Sequence, residues 1–228
     1  MLNTAAMVQF FSDNGFVLEW LTSIALFSFF LERKPHFPWR AAAVVILTLL
    51  MSMASVSLQD LLAPAGLALF FFNIAKYLCF FLIDFPGVLF CFESQPNGAL
   101  FCMICATATQ HLSYRIYSSI MTVLGLRYDS PPAGLLIFGV TAAVFFLVYR
   151  FFVRRIRQHP ERHLENSLNL LIGTVLILTT IFLHFLEEMS VNIDNEPYLF
   201  LLFSAHSIIS CVFTLVIEFG LFRNNVLA

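Results

Sequence analysis

Charge is what this chain has least of. Asp, Glu, Lys and Arg together make up 11% of its 228 residues, where a soluble domain carries ~25%. The shortage excludes an ordinary soluble fold, because too few polar side chains remain to cover a water-facing surface. Twelve basic against fourteen acidic residues leave a net charge of −2, which offers no basic face to nucleic acid and implies no strong electrostatic partner. No Ser/Gly linker, charged tail or fixed-period repeat divides the sequence. One domain over residues 1–228 is therefore expected, and an inverted-repeat transporter gains no support. Catalytic signatures are missing as well. There is no phosphate-binding Gly-rich loop, no G-x-S-x-G elbow and no zincin histidine pair, so neither catalytic residues nor a cofactor is expected.

What the chain does have is apolar length. Sixty per cent of its residues are hydrophobic, 28 of them Phe, which also excludes disorder. A helix crossing the ~30 Å hydrocarbon layer needs ~20 mostly apolar residues. Seven segments qualify: Gly15–Leu31, Ala41–Leu58, Gly66–Phe92, Gly98–Gly125, Ala133–Val153, Ser167–Leu186 and Pro197–Leu221. Pro86-Gly87 is expected to kink or end the third. Met7–Phe11 is expected to form a short interfacial helix ahead of Asp13-Asn14, and no basic residue or cleavage site marks the start as a removable signal. Basic residues orient the map. Arg33, Lys34, Arg40, Arg150, Arg154, Arg155, Arg157, Arg162 and Arg223 fall on one side, and only Arg127 lies in a loop on the other. By the positive-inside rule this predicts an all-α, polytopic helical bundle of about seven transmembrane helices, N-terminus out and C-terminus in.

An ionisable side chain within a span costs ~2.5–3.5 kcal/mol on insertion-based scales, so it faces the bundle and has a partner. Glu19, Lys76, Asp84, Arg115 and Glu218 lie in spans or at their ends. Glu218 is close enough to the inner interface to reach it. Lys76 and Arg115 fall roughly 15 Å from the outer ends of their spans at 1.5 Å per residue, and Asp84 and Glu19 are the available counter-charges. The fourth span is the most polar. Thr107, His111, Tyr114 or Arg115, and Ser118 recur on one helical face, with Gln110 beside it. Such a stripe either hydrogen-bonds neighbouring helices together or faces a ligand. Lys76, Asp84, Gln110, His111, Tyr114 and Arg115 are accordingly the candidate ligand-binding or signal-coupling residues.

Other features have simpler readings. His184 with Glu187, Glu188 and His206 matches no metal motif, and a histidine satisfied at the membrane edge is the plainer account. Ser204, Ser207, Cys211 and Thr214 form a small-residue packing stripe. The five cysteines sit in apolar segments, where they act as small hydrophobes; Cys102-x-x-Cys105 is no exception. Trp20 and Trp39 fall near opposite membrane faces, as interfacial anchors do.

The run Ala99-Leu100-Phe101-Cys102, followed by Gln110-His111-Leu112-Ser113-Tyr114, resembles the membrane sensor region of GHKL-type sensor histidine kinases, the accessory-gene-regulator-like peptide-pheromone receptors of bacteria. Glu32-Arg33-Lys34 with Phe37 and Arg40, and Leu89–Phe92, agree with the same pattern, while Thr107 stands where the family often has Tyr. The resemblance implies a multi-pass protein of the bacterial plasma membrane that acts as a dimer. It would receive a small peptide or other amphipathic ligand and signal through a cytoplasmic kinase. These residues contain no phosphoacceptor segment or ATP-binding domain, so kinase activity is not assigned to them. The outer loops are too short to fold into a ligand-binding domain, which places reception within the bundle or at its mouth. A small-solute permease and a ligand-free membrane scaffold are the alternatives.

Overall fold

The computed structural model describes residues 4–62, 66–126, 130–154, 167–190 and 197–225, with side chains over a narrower set that excludes 1–14, 60–70, 155–169, 183–199 and 218–228. Its helices are α1 (Thr4–Ser28), α2 (Phe37–Leu62), α3 (Gly66–Cys91), α4 (Pro96–Leu124), α5 (Pro131–Val148), α6 (Ser167–Ser190) and α7 (Pro197–Asn225). Helix α5 runs on into a π-helical turn at Tyr149–Val153. Two two-residue strands, β1 (Glu32–Arg33) and β2 (Phe92–Glu93), pair antiparallel. The fold is an all-helical bundle, and four of its helices are long and apolar enough to cross a membrane: Phe37–Gln59, Phe71–Cys91, Pro132–Val153 and Phe200–Ile217.

Helix α4 is the axis of the bundle. It packs against α7, α1, α5, α6 and α3, while α2 lies outside, against α3 and α1. Every residue from Phe101 to Ser113 is buried, well over three turns with no outward face. That position explains its composition. A helix enclosed by other helices needs no apolar surface for lipid, so α4 can be the most polar of the seven. The perimeter is the reverse. Ile46, Leu50 and Met53 on α2, and Leu135, Phe138 and Phe146 on α5, are exposed. Leaving such side chains in water forgoes ~1.5–3 kcal/mol each, so this perimeter suits lipid.

Local signals set the helix ends. Pro96 begins α4, where a missing N–H costs nothing. Gly125 ends it at φ +62°, with its N–H directed to Thr122 O and the Leu126 N–H reaching Met121 O at 2.9 Å. This 6→1 closure needs a residue without a Cβ penalty in the left-handed region. His36 takes φ +60° in the turn into α2, and its carbonyl accepts from the Trp39 and Arg40 N–H groups.

Helix α1 is continuous through Asp13-Asn14, so the short helix expected over Met7–Phe11 is not a separate element. Of the two outcomes expected at Pro86-Gly87, a kink or an end, the end does not occur: α3 continues past Pro86 to Cys91. Pro86 has no N–H to donate to the Leu82 carbonyl, a loss membrane helices tolerate when neighbours surround them. What ends α3 is a cap from another loop. Lys34 Nζ donates to Leu89 O and Arg40 Nη1 to Phe90 O, both at 2.7 Å, and the Lys34 N–H reaches Cys91 O at 3.0 Å. Two cations therefore meet the last carbonyls, where the helix dipole is negative. Just before this cap, α3 touches α2 closely: a Cβ at Gly87 would lie 2.8 Å from Val44 Cγ1.

Candidate functional site

The candidate residues do not form one cluster. Asp84, Gln110, His111, Tyr114 and Arg115 divide between two polar nodes and the centre of α4, with α1 joining the nodes through the adjacent positions Glu19 and Trp20, while Lys76 stands apart with Gln59 and Tyr77.

The first node centres on Asp84, which is 1% exposed. Its Oδ2 accepts from Trp20 Nε1 and its Oδ1 from Thr48 Oγ1, each at 2.7 Å. One carboxyl thus ties α3 to α1 and α2. Asp84 was expected to be one of the available counter-charges for Lys76 and Arg115, and the groups bonded to it are the neutral Trp20 and Thr48 instead. Lys76 lies eight positions away on the same helix, roughly 12 Å along the axis. Its Nζ donates to Gln59 Oε1 at 3.3 Å and stands 5.6 Å from the Tyr77 ring centroid. Trp20 is likewise no interfacial anchor: it is buried, with Phe16 stacked beside it at 6.2 Å. Its amphipathic ring uses the N–H inside the bundle because a buried carboxylate is within reach. Trp39, at 80% exposure, does stand on the surface.

The second node centres on Glu19. Ser113 Oγ donates to Thr141 Oγ1 at 2.9 Å, and Thr141 Oγ1 donates to Glu19 Oε1 at 3.1 Å. The Gln110 side chain faces the same carboxyl. This relay joins α4, α5 and α1. Glu19 was expected to offset a buried cation, but the groups facing it are the neutral Thr141 and Gln110. Neither Ser113 nor Thr141 was singled out in the sequence, because a hydroxyl in an apolar run gives no signal until its neighbour across the helix interface is known.

The remaining candidates surround the α4 axis. Gln110 is 2% exposed, His111 is buried, and Arg115 is 0% exposed. The Arg115 guanidinium carbon lies 5.5 Å from the Tyr114 ring centroid, and Tyr114 meets Tyr117 edge-on at 5.5 Å. Arg115 also acts electrostatically on Cys211 of α7. The polar stripe is therefore enclosed on every side. On α7, Ser204, Ser207, Cys211 and Thr214 are all buried, as close packing of small side chains requires. Cys102 Sγ contacts Phe27 O at 3.3 Å, bringing α1 and α4 together near their shared end. Among the described residues, the buried oxygens Glu19 Oε2, Gln110 Oε1, Ser23 Oγ, Ser204 Oγ and Ser207 Oγ have no hydrogen-bond partner.

Other sequence features fall partly outside view. The side chains of His184, Glu187, Glu188 and Glu218 lie outside the described residues, as do those of Arg127, Arg155, Arg157, Arg162 and Arg223. His206 is exposed on α7. Among the described residues, no group of three His, Cys, Asp or Glu side chains could hold a metal ion.

The two sequence stretches flanking the α4 motif meet in space. Glu32–Arg33 and Phe92–Glu93 form the β1–β2 pair, and Phe37 packs on Phe92 with ring centroids 5.2 Å apart. No family model, curated protein or solved structure matches the chain.

Proposed function

We propose that this bundle is a signal-receiving domain of the bacterial plasma membrane. It crosses the bilayer seven times, N-terminus out and C-terminus in, and passes a stimulus inward to a cytoplasmic histidine-kinase output. The observation that carries this reading is the state of α4. A central helix presents Gln110, His111 and Arg115 to its neighbours fully buried, while Gln110 Oε1 on α4 and, on the α7 helix packed against it, the hydroxyls of Ser204 and Ser207 keep hydrogen-bonding capacity unused among the described residues. A buried polar atom without a partner costs ~1–3 kcal/mol. A second packing of α4 against α7 and α1 that satisfies these atoms lies correspondingly close in energy, and a ligand that binds one packing better shifts the population between them.

On this reading the stimulus acts at the outer mouth of the bundle, since the α4 polar groups are enclosed. A small peptide or other amphipathic molecule suits the short outer loops. Helix α7, which packs on α4 and leads to the inner side, carries the change toward the output, in a homodimer as the resembled receptors use. The test is a chimera joining the chain after Ala228 to a kinase output. Arg115→Ala and His111→Ala are expected to change signalling at unchanged expression. Wild-type signalling from both would overturn the proposal, and so would a reporter after Ala228 that faced the exterior.

The same burial favours a second reading, a ligand-free membrane scaffold in which the α4 stripe only holds helices together. It predicts that these substitutions lower the amount of protein in the membrane while signalling per molecule stays constant.

A further inference from the structure

A groove of about 120 Å³ runs between α1, α2 and α3, walled by Leu21, Ile24, Ala41, Val44, Val88 and Phe92. Its lining runs from Leu21 and Asp84, the inner end, to Ser28, Phe37 and Phe92 beside the β1–β2 pair, which we take as its mouth. It follows α1 from Leu21 to Ser28, roughly 10 Å of helix. Apolar cavities of ~150 Å³ take up a benzene-sized guest, so this groove suits a stretch of one hydrocarbon chain and is too small for a folded partner or a helix.

The mouth carries a sorted set of charges. In the β1–β2 ladder, Glu32 pairs with Glu93 and Arg33 with Phe92. Paired residues share a face, and successive residues of a strand point to opposite faces. Phe92 lines the groove, so Arg33 is on the groove side and the two carboxylates are turned away from it. A second contact agrees: the Arg33 guanidinium carbon stands 4.9 Å from the ring centroid of Phe37, the other aromatic at the mouth. Lys34 and Arg40 are engaged in capping α3. The Arg33 side chain is exposed, and among the described residues its guanidinium meets the Phe37 ring and no carbonyl or carboxylate.

We propose that the groove is a binding site for an anionic phospholipid, with an acyl chain between α1, α2 and α3 and the phosphate at Arg33. Charge complementarity selects this occupant. An apolar slot with a guanidinium beside its mouth that rests on a ring and donates to no carboxylate, close to Lys34 and Arg40, matches an anionic headgroup above a hydrocarbon chain. Lys34 and Arg40 add to the positive field, and the ladder keeps Glu32 and Glu93 from opposing it. The site needs the bundle to lie in a bilayer but does not depend on the signalling reading.

Trp20 reports on the groove, since its indole is bonded to Asp84 at the inner end. In a Trp39→Phe background it is the sole Trp. The protein is reconstituted in phosphatidylcholine vesicles containing, at equal mole fraction, either brominated phosphatidylglycerol or brominated phosphatidylcholine. Trp20 is expected to be quenched at an about fivefold lower mole fraction of the anionic lipid, one basic contact's worth of preference. Arg33→Gln abolishes the preference and Arg33→Lys restores most of it. Ala41→Leu, which fills the slot, weakens quenching by both lipids. Equal quenching by the two lipids would overturn the proposal. So would loss of the preference in the exposed-surface control Arg154→Gln to the same degree as in Arg33→Gln, since the attraction would then be general surface charge.

Discussion

The Asp84 node allows a quantitative test of which partner matters. Asp84 accepts from Trp20 and Thr48 at the same 2.7 Å distance, yet the two bonds should not contribute equally. Thr48 Oγ1 also lies 2.9 Å from Val44 O. Its single proton has two acceptors, so loss of Asp84 leaves the hydroxyl bonded to its own helix. Trp20 Nε1 has no second acceptor among the described residues, so the same loss strands a buried donor. Side-chain hydrogen bonds in membrane bundles average ~0.6 kcal/mol in double-mutant cycles, with a maximum near 1.7. The Trp20–Asp84 coupling is expected near the top of that range, about 1.5 kcal/mol, and the Thr48–Asp84 coupling at about 0.5 kcal/mol or less. The cycles use Trp20→Phe, Thr48→Val and Asp84→Ala, with unfolding equilibria measured in mixed micelles or bicelles. The volume lost in Trp20→Phe cancels in the coupling term. A third cycle, Lys76→Met with Asp84→Ala, is expected to give no more than about 0.3 kcal/mol, as for residues sharing no partner. Equal couplings for Trp20 and Thr48 would refute the argument from spare acceptors. A Lys76 coupling larger than either would make Asp84 the counter-charge of Lys76 and refute its assignment to Trp20 and Thr48.

Further outcomes follow from the α2–α3 contact and the α3 cap. Gly87→Ala is expected to destabilise the bundle by about 1–2 kcal/mol, because the added Cβ meets the stiff Val44 side chain. Val44→Ala should recover most of that loss, and thermal unfolding in detergent of the two single variants and the pair measures it. Lys34→Met and Arg40→Met each remove a cation from the end of α3, which should cost about 0.5–1 kcal/mol. Hydrogen exchange should quicken in the last turn of α3 and in β2 while the centre of α4 keeps its protection. Uniform protection across both regions would show that the cap contributes nothing.

Helix existence was legible without coordinates, and for a simple reason. Backbone groups in hydrocarbon must be satisfied within the segment, so an apolar run of sufficient length is a helix whatever surrounds it. The seven apolar segments correspond to the seven helices. Gly125 also marked an end correctly, where φ preference decides, while α4 begins at Pro96, two residues before the expected Gly98. Whether Pro86 ends its helix depends on what lies beside it, and here the helix continues to a cap supplied by a loop more than fifty residues earlier. Trp20 misled for a related reason: an indole near a span end is equally suited to the interface and to a buried carboxylate.

By itself, then, the sequence determined that this chain forms long apolar helices and that the fourth is the polar one. Only the tertiary structure decided which helix lies at the centre and which polar groups meet. That α4 is surrounded, that Asp84 belongs to Trp20 and Thr48, that Glu19 is reached through Ser113 and Thr141, and that Arg33 stands over a groove all depend on how each helix is rotated about its axis. Lipid is as apolar as leucine, so no hydrophobic force sets that rotation. Close packing and a few buried hydrogen bonds set it instead, and these exist only between helices distant in the chain.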